Sequence, residues 1–147
     1  MTKTILITGA SSGIGAGMAR EFAQMGYNLA ICARRLERLE TLKQELEQQY
    51  GIRVIAKSLD VTNYDQVFEV FRAFKQEFGR LDRVIVNAGI GDGRRIGKGS
   101  FAINKATVET NFISALAQCE AAVEIFREQN AGHLVVISSM SAVRGMP

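Results

Sequence analysis

Continuous apolar runs alternate along the chain with segments in which apolar residues recur every three or four positions. Residues 3–7 (KTILI) and 28–33 (NLAICA) are short runs of the kind found in strands buried on both faces. The segment between them carries Ile14, Met18 and Phe22 at helical spacing, which predicts a helix with these three side chains on its inner face. This order predicts two parallel strands joined by a helix.

The same alternation continues to the end of the sequence, with further strands predicted at residues 53–58, 84–87 and 134–138. Apolar strands that alternate with helices form a parallel sheet covered on both faces. The predicted fold class is therefore α/β, with a Rossmann-type doubly wound parallel sheet in a three-layer αβα arrangement. A chain of 147 residues suffices for one domain and is too short for two ordinary ones, so a single domain is expected over residues 1–147.

The helices between the later strands are predicted from apolar stripes. Thr62 and Asn63 precede one of these stripes and are candidate N-caps. A long helix is predicted from about Lys105 to Gln129, directly before the fifth strand. Its inward side chains are expected to be Val108, Phe112, Leu116 and Val123.

A glycine-rich turn joins the first strand to the first helix. A strand, a tight turn and a helix N-terminus together present backbone N–H groups and the positive end of a helix dipole to one point, which suits a pyrophosphate. Glycine allows backbone conformations and close approaches that a Cβ atom would block. The candidate cofactor-binding residues of this turn are Gly9, Ser11, Ser12, Gly13, Ile14 and Gly15.

Small or polar residues follow every predicted strand. Ligands of open parallel sheets bind at the carboxyl edge, near the switch in strand order, so these segments are expected to line one groove. After the glycine turn, the segments in chain order are Arg34-Arg35, Asp60-Val61, Asn87-Ala88-Gly89 and Ser138-Ser139.

The end of the second predicted strand carries arginines where an NAD site would place an acidic residue. A carboxylate would repel a 2′-phosphate, whereas a guanidinium binds it through charge-assisted hydrogen bonds. Arg34, with Arg35 beside it, therefore predicts NADP(H) rather than NAD as the cofactor. The alternative interpretation is that both arginines simply begin a charged helix.

Together, these motifs resemble the classical short-chain dehydrogenase/reductase family. The matching segments, in family order along the whole chain, are Thr8-Gly9-x-x-x-Gly13-Ile14-Gly15, Asp60-Val61, Asn87-Ala88-Gly89, Asn111 and Ile137-Ser138-Ser139. The resemblance implies that Asp60 contacts the adenine amino group with Val61 beside it, and that residues 87–89 pack against the adenosine. It also implies that Asn111 anchors a water in a proton relay and that the Ser139 hydroxyl binds the substrate oxygen.

The resemblance implies an NADP(H)-dependent oxidoreductase that interconverts a carbonyl and a secondary alcohol by hydride transfer. The alternative is a catalytically incomplete nucleotide-binding module or fragment that acts as a sensor or partner subunit. The family's acid/base is a tyrosine four residues before a lysine, and Tyr27, Tyr50 and Tyr64 all lack that lysine. Because family members have about 250 residues, the sequence is expected to be truncated before the last helices and strands. A homodimer or homotetramer is expected at full length.

Composition and charge argue against several other classes of protein. The net charge of +3 is too small to indicate a nucleic-acid binder. No stretch approaches the roughly 20 apolar residues of a membrane helix, so we expect a cytoplasmic protein without a membrane or nucleic-acid partner. Cys32 and Cys119 lack metal-like spacing and His133 is the only histidine, so no metal site is expected. Cys32 is expected to be a buried thiol.

Overall fold

The computed structural model describes residues 2–144, which form a five-stranded sheet with helices on both faces. The strands are β1 (Thr4–Thr8), β2 (Asn28–Ala33), β3 (Val54–Ser58), β4 (Arg83–Val86) and β5 (His133–Val136). The α-helices are α1 (Gly13–Gln24), α2 (Leu36–Tyr50), α3 (Tyr64–Phe78), α4 (Phe101–Val108) and α5 (Ser114–Gln129). A π-helical turn, Glu109–Ile113, joins α4 to α5, and a 3₁₀ turn, Met140–Ala142, follows β5.

All strand pairs are parallel, and the strand order is β3-β2-β1-β4-β5. The chain builds outward from β1 to β3 and then crosses back to place β4 on the other side of β1. This reversal is the topological switch point, where ligands of such sheets bind beyond the carboxyl ends of the strands. The predicted Rossmann-type doubly wound sheet is therefore confirmed.

Two apolar cores lie on opposite faces of the sheet and give the three-layer αβα arrangement. The first core packs α1 and α2 on the sheet and includes Ile5, Ile7 and Leu42. The second core packs α3 and α5 on the other face and includes Leu6 and Phe71. Neighbouring residues of β1 thus face opposite cores, which explains why the strand is apolar at successive positions.

The inner face of α1 differs from the prediction. Ile14 is 67% exposed, so its predicted place on the inner face is wrong. Met18 and Phe22 are half-buried and pack against the first core. The positions that bring α1 close to the sheet carry the smallest side chains, namely Gly15, Ala16, Ala19 and Ala23.

The long helix before β5 also differs from the prediction. It begins at Phe101 rather than near Lys105, and the π turn divides it into α4 and α5. The side chains expected to point inward are exposed: Val108 by 55%, Phe112 by 67%, Leu116 by 54% and Val123 by 36%. The buried residues of α5 are instead Ser114, Gln118, Ala121, Ala122 and Ile125.

The physical reason for this reversal is a shift of helical phase. Leu116 and Gln118 lie two positions apart, which is about 200° around a helix, so an inward Gln118 turns Leu116 outward. The π turn adds a residue to one helical turn and changes which residues share a face. The small residues Ala121 and Ala122 allow α5 to pack closely in the second core. The rule that the largest apolar residues face inward therefore fails here.

Candidate functional site

A cavity of about 560 Å³ lies at the carboxyl ends of β1, β2, β3 and β4. All the candidate cofactor-binding residues named from the sequence line this cavity except Gly13. The structure thus brings segments that are distant in the chain to one place. The cavity is also lined by Ala33, Leu59, Thr62, Ile90, Ala106, Glu109 and Thr110, which the sequence did not indicate.

The β1–α1 turn has a geometry that requires glycine at two positions. Gly9 has a positive φ of 67°, and a Cβ atom on it would lie 2.8 Å from the Cα of Ala88. A Cβ atom on Gly15 would lie 2.3 Å from the carbonyl oxygen of Gly9. Only hydrogen at these positions allows the turn, the helix and the β4 loop to approach one another so closely.

The N-terminus of α1 is suited to an anion. Ser12 occupies the N-cap position but its side chain makes no capping hydrogen bond, and the first turn of α1 has no acidic residue. The N-terminal N–H groups and the positive end of the helix dipole therefore have no carboxylate to offset them within the helix. These features fit the pyrophosphate of a dinucleotide, which carries negative charge and many acceptor oxygens.

Thr8 ties the end of β4 to the end of β1. Its buried hydroxyl accepts hydrogen bonds from the backbone N–H of Asn87 at 3.0 Å and of Ala88 at 3.1 Å. The side-chain amide of Asn87 donates to the carbonyl oxygen of Thr8 at 3.0 Å. These bonds cross the switch point and fix the glycine turn relative to the β4 loop, both of which line the cavity.

Arg34 and Arg35 both line the cavity at the end of β2. The Arg35 guanidinium donates hydrogen bonds to the hydroxyl oxygens of Ser11 at 3.3 Å and Ser12 at 3.2 Å, so it bridges β2 and the glycine turn. Arg35 also occupies the N-cap position of α2. The two arginines place two positive charges beside the turn, on the part of the cavity that continues toward β3.

Asp60 is held in a tight turn after β3. Its carboxylate accepts hydrogen bonds from the Thr62 hydroxyl at 2.7 Å and from the Thr62 backbone N–H at 3.0 Å. These two bonds lower the pKa of Asp60 below its ordinary value, and the positive charge of Arg34 lowers it further, while partial burial opposes them. The carboxylate is therefore ionised at neutral pH, and its orientation is fixed by the hydrogen bonds within its own turn.

Replacing Asp60 by asparagine is expected to reduce the pH dependence of stability in acid. Because folding lowers the Asp60 pKa, its contribution is complete above its ordinary pKa of about 3.9 and is lost as the pH falls through the lower folded value. Urea unfolding between pH 6 and pH 2.5 measures this slope. The Thr62→Val variant, which removes only the hydroxyl donor, should reduce the slope partially. An identical acid slope in wild type and Asp60→Asn would contradict the assignment.

Asn111 lies in the π turn, outside the cavity lining. Its side-chain oxygen accepts a hydrogen bond from the backbone N–H of Ile90 at 2.8 Å, and its amide donates to the carbonyl oxygen of Ile90 at 2.7 Å. Both polar atoms of the side chain are thus engaged with one backbone position. Because Ile90 lines the cavity, Asn111 fixes part of the cavity wall.

Ser139 is exposed beyond the end of β5 and does not line the cavity. Its hydroxyl oxygen accepts a hydrogen bond from the Ser141 backbone N–H at 3.2 Å and thereby caps the 3₁₀ turn. Ser138 is likewise exposed and outside the lining. The structure therefore does not bring the serine pair into the cavity formed by the earlier strand ends.

The end of α4 and the π turn supply three of the cavity residues that sequence reasoning missed. Glu109 and Thr110 lie in this turn, and Ala106 lies in the last part of α4. Glu109 forms an ion pair with Lys105 at 3.6 Å, four positions earlier, a spacing that in sequence resembles an ordinary exposed helix pair. A π turn has no composition or spacing signal that would have indicated it.

Within residues 2–144, no group of three or more His, Cys, Asp and Glu side chains could hold a metal ion. In the same part of the chain, no helix combines the length and apolar content needed to cross a bilayer. Cys32 is buried, as predicted, and burial raises the pKa of its thiol, which therefore stays protonated.

The sheet order and the glycine turn at its switch point define a Rossmann-type fold. The family model described as short chain dehydrogenase matches residues 3–147, and the chain belongs to this family of oxidoreductases. An uncharacterized oxidoreductase of Mycobacterium tuberculosis, Rv0945, is 54% identical over 144 residues, which are 97% of this chain and 57% of the relative. The chain thus spans just over half the length of that protein.

Two further proteins are likewise similar to nearly the whole of this chain over only part of their own length. The NADP-dependent 3-hydroxy acid dehydrogenase of Schizosaccharomyces pombe is 33% identical over 95% of this chain and 54% of its own length. The X-ray structure of an alcohol dehydrogenase from Thermococcus sibiricus, complexed with 5-hydroxy-NADP, is 33% identical with a TM-score of 0.94. That match covers 100% of this chain and 62% of the archaeal chain.

Proposed function

We propose that residues 1–147 form the single NADP(H)-binding domain of a short-chain dehydrogenase/reductase that interconverts a carbonyl and a secondary alcohol by hydride transfer. The observation that carries the proposal is the cavity in which Arg34 and Arg35 stand beside the glycine turn. Two similar proteins support NADP(H) as the cofactor: the fission-yeast enzyme is NADP-dependent, and the archaeal enzyme is complexed with 5-hydroxy-NADP.

Each segment that lines the cavity is proposed to bind one part of the cofactor. The N–H groups of the glycine turn bind the pyrophosphate, and the guanidinium groups of Arg34 and Arg35 bind the 2′-phosphate. Asp60 and Val61 hold the adenine, while residues 87–89 pack against the adenosine. When bound, the cofactor supplies or accepts the hydride.

The chain's own polar groups have proposed roles toward the substrate. The Ser139 hydroxyl hydrogen-bonds the oxygen of a small carbonyl or alcohol substrate, and Asn111 anchors a water in the proton relay. The protein acts in the cytoplasm, as a homodimer or homotetramer at full length. Whether the polypeptide catalyses the reaction or only binds the nucleotide is decided by NADPH-linked turnover of carbonyl substrates. Nucleotide binding without any turnover would favour the sensor or partner-subunit alternative.

The cofactor preference is tested by titrating wild type and Arg34→Ser with NADPH and NADH. A hydrogen bond to a charged group contributes about 1.5–3 kcal/mol, so Arg34→Ser should weaken NADPH binding roughly 10- to 100-fold and leave NADH binding unchanged. Arg38→Ser is the matched control, since Arg38 is exposed on α2 and does not line the cavity. Equal affinity of wild type for the two nucleotides, or unaltered NADPH affinity in Arg34→Ser, would refute NADP(H) specificity.

A further inference from the structure

A fully buried amide lies on the inner face of α5. Gln118 is 0% exposed, and its Nε2 donates hydrogen bonds to the Ser114 carbonyl oxygen at 3.1 Å and the Ser114 hydroxyl oxygen at 3.2 Å. Its Oε1 is the buried side-chain atom without a hydrogen-bond partner in residues 2–144. The amide orientation is fixed because the Ser114 carbonyl can only accept. Rotating the amide would aim one acceptor at another.

The buried amide is the end of a side-chain ladder that reaches the cavity. Ser114 is also 0% exposed, and its hydroxyl donates to the carbonyl oxygen of Thr110. The ladder thus runs from Gln118 through Ser114 to Thr110 in steps of four residues. Thr110 belongs to the π turn and lines the cavity. Within that turn, Asn111 holds Ile90, another lining residue, through two hydrogen bonds.

The ladder stabilises a segment that an ordinary helix would not form. A π turn departs from the regular hydrogen-bonding pattern of the α-helix and is frequently found at functional sites. The Ser114 hydroxyl supplies a side-chain donor to a carbonyl of this turn. A Met of similar volume at position 118 would fill the same space without burying an unpaired acceptor, which is unfavourable. The fold is therefore less stable with Gln118 than with an apolar residue of the same volume, so packing alone does not explain the amide at this position.

We propose that Gln118 and Ser114 are positioning residues, which hold the π turn so that Glu109 and Thr110 form their part of the cavity wall. Neither side chain touches the cavity itself, so both act through the turn. The inference rests on the proposed NADP(H) function where it concerns affinity, while the conformation of the turn can be tested without nucleotide.

The test compares two glutamines of the same helix. Gln118→Met should weaken NADPH binding roughly 3- to 30-fold while leaving the Tm unchanged or higher, because it removes the buried unpaired oxygen. Gln129→Met is the matched control: Gln129 pairs with both the N–H and the C=O of Leu81 and lies outside the cavity lining. That control should lower the Tm and leave NADPH binding unchanged. If Gln118 only stabilised the fold, Gln118→Met would lower the Tm and leave NADPH binding unchanged, as is expected for the control.

A second pair of measurements tests the ladder directly. Ser114→Ala should weaken NADPH binding as Gln118→Met does, and the double variant should be no weaker than either single variant, since all interrupt one ladder. Amide hydrogen exchange of residues 109–113, measured without nucleotide, should be faster in Gln118→Met than in wild type or Gln129→Met.

The outcomes separate the inference from the proposed function. If wild type does not bind NADPH, the proposed function fails, and the hydrogen exchange of residues 109–113 alone tests the ladder. Faster exchange in Gln118→Met than in wild type then supports the ladder, and unchanged exchange overturns it. If wild type binds NADPH, Gln118→Met with wild-type affinity and wild-type exchange overturns the inference. A lowered Tm with unchanged affinity in Gln118→Met overturns it as well.

Discussion

Replacing Gly15 by alanine is expected to weaken NADPH binding by roughly 100-fold or more and to destabilise the protein. A Cβ atom at this position would lie 2.3 Å from the Gly9 carbonyl oxygen and 2.8 Å from the Asn87 side-chain nitrogen. Gly15 is buried in the first turn of α1, so neither α1 nor the glycine turn can yield without shifting the other. The shift moves the N–H groups that face the cavity.

The size of the effect follows from overpacking and from the lost contacts to the anion. Overpacking a tight site costs about 1–3 kcal/mol of unfolding free energy. Losing two hydrogen bonds to a charged group, at about 1.5–3 kcal/mol each, weakens binding by roughly 100-fold or more. Urea unfolding and fluorescence titration with NADPH measure the two quantities.

Gly17→Ala provides the matched control for Gly15→Ala. Gly17 lies on the exposed side of the same helix, and a Cβ atom there would meet nothing within 4 Å. Alanine in a helix interior is favoured over glycine by about 0.5–1 kcal/mol, so this variant should be slightly more stable and bind NADPH normally. Wild-type NADPH affinity in Gly15→Ala would show that the close approach is not required.

Replacing Phe71 by alanine is expected to cost about 3–5 kcal/mol of unfolding free energy. Phe71 is 0% exposed in the second core, where α3 packs on the sheet, so its removal deletes buried apolar surface and leaves a cavity. Since domains are stable by about 5–15 kcal/mol, the loss is a large share of the total. The urea midpoint followed by circular dichroism reports it.

Phe101→Ala is the control for Phe71→Ala. Phe101 is the first residue of α4 and is 79% exposed. Surface substitutions of this kind usually change stability by less than about 0.5 kcal/mol. Similar losses in the two variants would mean that the second core does not stabilise the fold as its burial indicates.

The strands and the glycine turn were predictable because the local signals agree with the tertiary structure. Residues 28–33 are apolar at nearly every position, and both faces of β2 are buried. The turn from Gly9 to Gly15 carries glycine where the backbone comes too close for any side chain. In both places the conformation is determined by the residues of the segment itself. Predicting the strand or the turn therefore does not depend on how a helix is rotated against its neighbours.

The inner faces of α1 and α5 were less predictable because the size of the side chain, rather than its hydrophobicity, decides which residues pack on the sheet. Ile14 and Leu116 are exposed while Gly15 and Ala121 are buried. A close helix-to-sheet approach selects small side chains, and a periodicity argument that weighs only apolar character reverses the two faces. The cavity residues of the π turn, Glu109 and Thr110, were missed because no sequence signal marks that turn. The roles of Asn111 and Ser139 toward substrate remain predictions.

The central position of β1 has a consequence for how the protein is made. On one side β1 pairs with β2, whose Leu29 lies opposite Ile5, and on the other side with β4, whose Arg83 lies opposite the same residue. At a translation rate of about 5–20 residues per second, β4 emerges from the ribosome roughly 3–10 s after β2. During that interval one edge of the central strand has no partner, and its N–H and C=O groups can pair with other nascent chains. A chaperone that covers this edge would raise the yield of folded protein.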